Sequence, residues 1–125
     1  MSLSNYSEDK IANIFRGGGN GVNFSAPAAV YAKLHTGDPG EDGTSNAAGN
    51  TTRKEVQFGA SSGGVISLSN SPSWTSVSNT ETYNYVSIWD DVSAGNCLGS
   101  GAMTASVAVT AGDTFNLTAL TLTMT

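Results

Sequence analysis

The period of the apolar positions changes once along the chain. In "NYSEDKIANIFRGGG", residues 5–19, Ile11, Ile14 and Phe15 recur at i, i+3 and i+4 with Ser7 a turn above them, the stripe of an amphipathic helix. Asn5 is placed to cap it, and Glu8 stands three residues on, the spacing of a capping box. Glu8 and Asp9 in the first turn and Arg16 in the last complement the helix dipole, and Gly17, Gly18 and Gly19 end the segment. So short a helix is not stable alone, so its stripe needs a partner, either the sheet of this chain or another subunit.

From Pro27 onward the period is two. "AAVYAKLHT" sets Val30, Ala32 and Leu34 against Tyr31, Lys33 and His35, a half-buried strand. "RKEVQFG" turns Val56 and Phe58 inward with Lys54, and "GVISLSN" contributes Val65 and Leu68. "SWTSV" leaves two registers open, Trp74 with Ser76, or Ser73 with Thr75 and Val77. In "TYNYVSIWDD" Tyr83, Tyr85, Ser87 and Trp89 share one face and Asn84, Val86, Ile88 and Asp90 the other, so both faces need cover. The last segment changes parity: Phe115 and Leu117 share a face that Leu120, Leu122 and Met124 do not, which requires a bulge near Ala119 or a change of sheet there, and the bulge is expected. Turns at "SSGG", "SAGN" and "TAGD" are spaced as in sandwiches and barrels. The expectation is a mainly β fold, a single β-sandwich of jelly-roll or immunoglobulin-like kind. About seven or eight strands would follow one short N-terminal helix. Residues 1–19 would be a helical arm and 20–125 the sandwich.

Between Leu34 and Arg53 the pattern lapses into "HTGDPGEDGTSNAAGNTT", a long acidic, glycine-rich loop. It is expected to be a solvated feature that projects outward, with Asp38, Glu41 and Asp42 exposed.

Composition narrows the partners. A net charge of −5 opposes nucleic-acid binding, which needs clustered Lys and Arg, and the one basic pair, Arg53–Lys54, reads as a solvated strand edge. With charged residues at only 12%, Ser, Thr, Asn and Gly must supply the polar surface, which suits strands and turns better than helices. No run approaches the roughly 20 apolar residues of a membrane span. The N-terminus lacks a basic start and an apolar run, so no signal peptide is expected, and the sequons at Asn23, Asn50 and Asn116 carry no weight. Cys97 stands alone, which excludes an intrachain disulfide.

Candidate chemistry is sparse. His35 is the single histidine and reads as a solvated strand end. No GxSxG elbow is present, and Cys97 reads as a small buried residue with no base beside it in sequence. Asp90 and Asp91 are adjacent, so on a strand they diverge and cannot share a proton. "RGGGNG" follows a helix and lacks the Lys-Ser/Thr ending of a phosphate loop. Asp38, Glu41 and Asp42 do not have EF-hand spacing. Catalytic residues, cofactor and metal are all expected to be absent.

With its segments in order, the chain resembles a family of small bacteriophage structural proteins of the tail-fibre-like or head-decoration kind. The pieces that carry the resemblance are "SNYSEDKIANIFRG", "PAAVYAKLHTGDPGEDG", "TRKEVQFGASSGG", "YNYVSIWDDVSAGNCLGSGAMT" and "VTAGDTFNLTALTLTM", nearly the whole chain. The resemblance implies a non-enzymatic component of the virion surface, assembled in the cytoplasm of a bacterial host. Its partners would be the major capsid protein or other virion proteins and further copies of itself. Small size and the absence of a shaft repeat point to a trimeric capsid decoration, or cement, protein on the head; the alternative is a tail-associated or fibre protein that touches the host surface. Candidate interface residues are Ile11, Ile14 and Phe15 on the helix and Tyr83, Tyr85 and Trp89 on the ring-rich strand. In the fibre reading, exposed aromatic rings such as Trp74 or Trp89 would stack on host sugars.

Overall fold

The strands form where the period is two and the helix where it is 3.6. A computed structural model describes residues 1–16 and 25–124. The elements are β1 (Ser2–Leu3), α1 (Asn5–Arg16), β2 (Val30–His35), β3 (Lys54–Val56), β4 (Val65–Ser67), β5 (Ser73–Trp74), β6 (Glu81–Trp89), β7 (Cys97–Val109), β8 (Phe115–Asn116) and β9 (Thr121–Thr123). The glycine exit after the helix, and with it the expected boundary at residues 19–20, lies outside the described residues.

Hydrogen bonding joins β1-β7-β6-β2-β3 into one antiparallel five-stranded sheet. Two short ribbons, β4-β9 and β5-β8, form ladders of their own, and the Gly59 N–H to Ser67 carbonyl and Ser69 N–H to Gln57 carbonyl bonds run from the chain after β3 to the β4 segment. The fold is thus mainly β, built on a multi-strand antiparallel sheet, and the segments of the ribbons are broken. Ser76 adopts a left-handed φ of 50°, which ends the strand after Trp74, so Trp74 and Val77 are both buried and neither register of "SWTSV" holds throughout. On the partner segment Phe115, Leu117 and Leu120 are buried, and residues 117–120 carry the chain from the β5-β8 ladder to the β4-β9 ladder, so the parity change near Ala119 is a change of ladder and the expected bulge is corrected.

The core lies on one face of the sheet. Ala32, Leu34, Val56, Val86 and Ile88 meet Trp74, Val77, Phe115, Leu117 and Leu120 there. Phe115 joins the two layers: its ring packs edge-on to Tyr83 at 5.3 Å and tilted against Trp74 at 5.8 Å between centroids. Tyr83 reaches this core where the β6–β7 pairing is irregular, with extra residues on β7. The register slips between Tyr83, opposite Val107, and Tyr85, opposite Ala102, so Tyr83 falls in with Val86 and Ile88 instead of staying with Tyr85 and Trp89. Strict alternation along β6 is therefore corrected.

The helix cap is corrected as well. Ser4, not Asn5, caps α1: its hydroxyl oxygen accepts the Ser7 N–H at 3.2 Å and its carbonyl accepts the Glu8 N–H at 2.9 Å. Both residue types can cap; β7 decides between them. The Ser4 N–H donates to the Leu98 carbonyl, the Ser4 hydroxyl to the Cys97 carbonyl and the Ser7 hydroxyl to the Leu98 carbonyl at 2.7 Å, so the start of α1 is stitched to the sheet. The opposite sheet edge is closed by Asn70, which accepts the Gln57 N–H at 2.9 Å and donates to the Glu55 carbonyl at 3.2 Å.

Candidate functional site

The second face of the sheet is where the long loop comes to rest. His35, Ser87 and Trp89 lie on it; His35 and Ser87 are fully buried and Trp89 is 7% exposed. The loop of residues 36–48 covers them. Its two arms pair through the Thr36 N–H to the Asn46 carbonyl and the Ala48 N–H to the Leu34 carbonyl; Pro39 and Gly43 are buried in it, while Ala48 at its end joins the core cluster. Gly43 is seated so closely that a Cβ there would stand 2.7 Å from the Cys97 sulfur and 2.9 Å from the Trp89 ring, and its φ is +73°. The loop is thus a cover and not the outward projection its composition suggested. Through the close approach of Gly43 to Trp89 and Cys97 it covers the second face of a strand apolar on both.

A polar chain ties cover to sheet. His35 Nδ1 lies 3.0 Å from the Ser45 carbonyl, which only accepts, so Nδ1 carries the proton. Nε2 then accepts the Ser87 hydroxyl at 2.7 Å, and the Ser87 oxygen accepts the Trp89 indole N–H at 2.7 Å. Each polar group is satisfied by a neutral imidazole. Burial holds the His35 pKa below its ordinary 6.5; the Ser45 carbonyl opposes the shift and the Lys33 ammonium adds to it. The solvated strand-end reading of His35 is overturned: its position at the end of the alternation looked polar only because the cover was not visible in the pattern.

Trp89 is enclosed from another direction by Arg53, whose guanidinium lies 3.9 Å from the ring centroid and donates to the Asp91 and Ala94 carbonyls at 2.8 and 2.7 Å. Arg53 is therefore a clamp on the turn after β6 and not a solvated edge. Asp90 and Asp91 serve that same turn, Asp90 accepting the Asn96 N–H and Asp91 the Ser93 and Ala94 N–H groups, and these last two bonds hold the Asp91 carboxyl below its ordinary range. Cys97 is buried beneath Gly43, and that burial pushes its thiol up to about 11, so at neutral pH it is protonated and a poor nucleophile.

Asp38, Glu41 and Asp42 are exposed. Asp38 accepts the Gly40 N–H, and Asp42 accepts the Thr44 hydroxyl and N–H, bonds that keep Asp42 below its ordinary range. Asp38 and Asp42 are turn-forming carboxylates, and among the described residues no cluster of His, Cys, Asp and Glu is placed to hold a metal ion.

The expected interface residues separate into two groups. Tyr83 and Trp89 are buried within the chain and Tyr85 is half-buried, so the ring-rich face of β6 is filled by the chain itself. Trp74 is 1% exposed, so neither tryptophan presents a face for a sugar to stack on. The helix differs. Ile11 is half-buried, whereas Ile14 is 54% and Phe15 84% exposed. Ile11 lines an apolar cleft of about 300 Å³ between α1–β1 and the β4–β9 ribbon, with Leu3, Ile66, Leu98 and Leu122 among its walls. The stripe thus begins inside this cleft and continues past it into the open. Sequence reasoning missed Leu3, because a two-residue strand shows no period, and it missed the cleft, because alternation shows which side of a strand is apolar and not how far apart two layers stand.

What this arrangement defines is a small, mainly β protein in which His35, Ser87, Arg53, Asp90 and Asp91 hold its own turns and cover in place. Residues 2–125 match the family described as podophage GP4 fiber I protein gp80, and the chain belongs to that family. The resemblance to small phage virion structural proteins is thereby established, and the chain is a phage virion structural protein. No curated protein matches it. Among the described residues no helix is long and apolar enough to cross a membrane.

Proposed function

We propose that the protein is a fibre component of the phage tail apparatus that contributes to contact with the host surface and joins the virion through the exposed face of α1. The family match over residues 2–125, to a fibre protein, carries this reading. A position on the head shell as a trimeric cement protein rested on small size, and nothing in the fold or the family description favours it over the fibre. Cofactor and metal have no part in the reading. The partners are other virion proteins or further copies of the chain.

The contact would work by apolar burial. Covering a side chain such as Phe15 contributes about 1.5–3 kcal/mol, too little for a lone pair of subunits but enough when many copies act together. Phe15→Ser changes an exposed position, so the isolated protein should melt within about 0.5 kcal/mol of the parent. Its incorporation into particles, read by quantitative blotting of purified virions, should fall severalfold. Normal incorporation of the variant would remove α1 as the contact.

A further inference from the structure

We infer that the cover formed by residues 36–48 is a pH-released latch, closed onto the sheet by neutral His35 and opened locally when that imidazole gains a second proton. The geometry that carries this is the insertion of one fully buried ring between cover and sheet, bonded to Ser45 on one side and Ser87 on the other. Ser87 accepts from Trp89 and donates to Nε2 at once, and its hydroxyl proton loses that acceptor once Nε2 carries a proton of its own. Protonation therefore puts a charge and a surplus hydrogen where the closed form has room for neither.

No carboxylate compensates. On β2 the charged neighbour of His35 is Lys33, which repels an imidazolium. From β6 the ring meets Ser87 and lies opposite Tyr85, and Trp89, Cys97 and Arg53 follow behind, of which only Arg53 is charged, again positive. From the cover it meets the backbone of Ser45 and Asn46. Asp38, Glu41 and Asp42 are exposed, and the bonds of Asp38 and Asp42 run to their own turns.

The sign follows from linkage. In the open form the imidazole titrates near its ordinary 6.5, and in the closed form below it. Above 6.5 both forms are neutral and pH has no effect. Between the two values only the open form binds the proton, so opening gains up to about tenfold per pH unit of acidification. Below the closed-form value the dependence levels off.

Cys97, the single cysteine, lies under Gly43 and reports the opening. The intact protein is labelled with a methanethiosulfonate from pH 8 to pH 5, and each rate is divided by that of the denatured chain at the same pH, so that the titration of the thiol itself cancels. The normalised rate is expected to be flat above pH 6.5 and to climb on acidification below it, up to about tenfold per unit. Amide exchange along the β6–β7 ladder, normalised in the same way, should keep its protection. In His35→Gln the normalised rate should be independent of pH. A flat wild-type profile, an equal slope in His35→Gln, or simultaneous loss of β6–β7 protection would each overturn the latch. If His35→Gln does not fold, the comparison of Cys97 labelling with amide exchange in the wild type still decides between local opening and none.

Discussion

Val86→Asp is expected to abolish folding. Val86 is fully buried at the middle of β6, opposite Leu34 on one side and Gly101 on the other, and it belongs to the core cluster. A carboxylate there has no cation within the core to pair with. An uncompensated buried charge costs about 3–5 kcal/mol, and loss of the valine packing adds to it, against a total stability of about 5–15 kcal/mol for a domain of this kind. The amide spectrum of the variant should collapse to the narrow dispersion of an unfolded chain. Thr82→Asp, on the same strand at an exposed position, should keep a dispersed spectrum. A soluble, native-like Val86→Asp protein would mean that the face assigned to the core is wrong.

Trp74→Ala should lower the unfolding free energy by about 3–5 kcal/mol, the range for emptying a large aromatic site in a core. Trp74 is 1% exposed, packs against Phe115, and donates its indole N–H to the Thr52 carbonyl at 2.7 Å. Phe115 holds the ribbon onto the sheet through Tyr83, so the vacancy falls at the joint between the layers. Trp74→Phe restores most of the volume and loses the hydrogen bond, so its cost should be nearer 1–2 kcal/mol. Urea denaturation of the two variants measures both numbers. A cost below about 1 kcal/mol for Trp74→Ala would show that the ribbon does not depend on this contact.

The local elements were legible in the sequence because their periods are set locally. The helix stripe, the alternation of β2 and the parity change between Leu117 and Leu120 all appear in the structure at the positions the pattern gives. What failed to show was long-range. Ser4 took the cap from Asn5 because β7 offered it carbonyl partners ninety-odd residues away. Tyr83 left the face of Tyr85 because β7 carries extra residues opposite it, which no reading of β6 alone reveals. His35 looked solvated because the residues that bury it belong to a loop with almost no apolar character, whose covering is done by Pro39, Gly43 and backbone hydrogen bonds. Polar loops can bury a surface when small residues allow close approach, and hydropathy does not register that. The helix face was legible as a candidate contact because Phe15 continues a stripe that the domain ends too soon to cover. The ring-rich face of β6 carried the same signal and proved to be filled from within.

The central claim, that this virion protein belongs to the fibre, is tested most directly by labelling purified particles with a gold-tagged antibody against it and imaging them by electron microscopy. The account predicts gold at the tail and its fibres. Gold spread over the head shell would contradict it and restore the cement-protein reading.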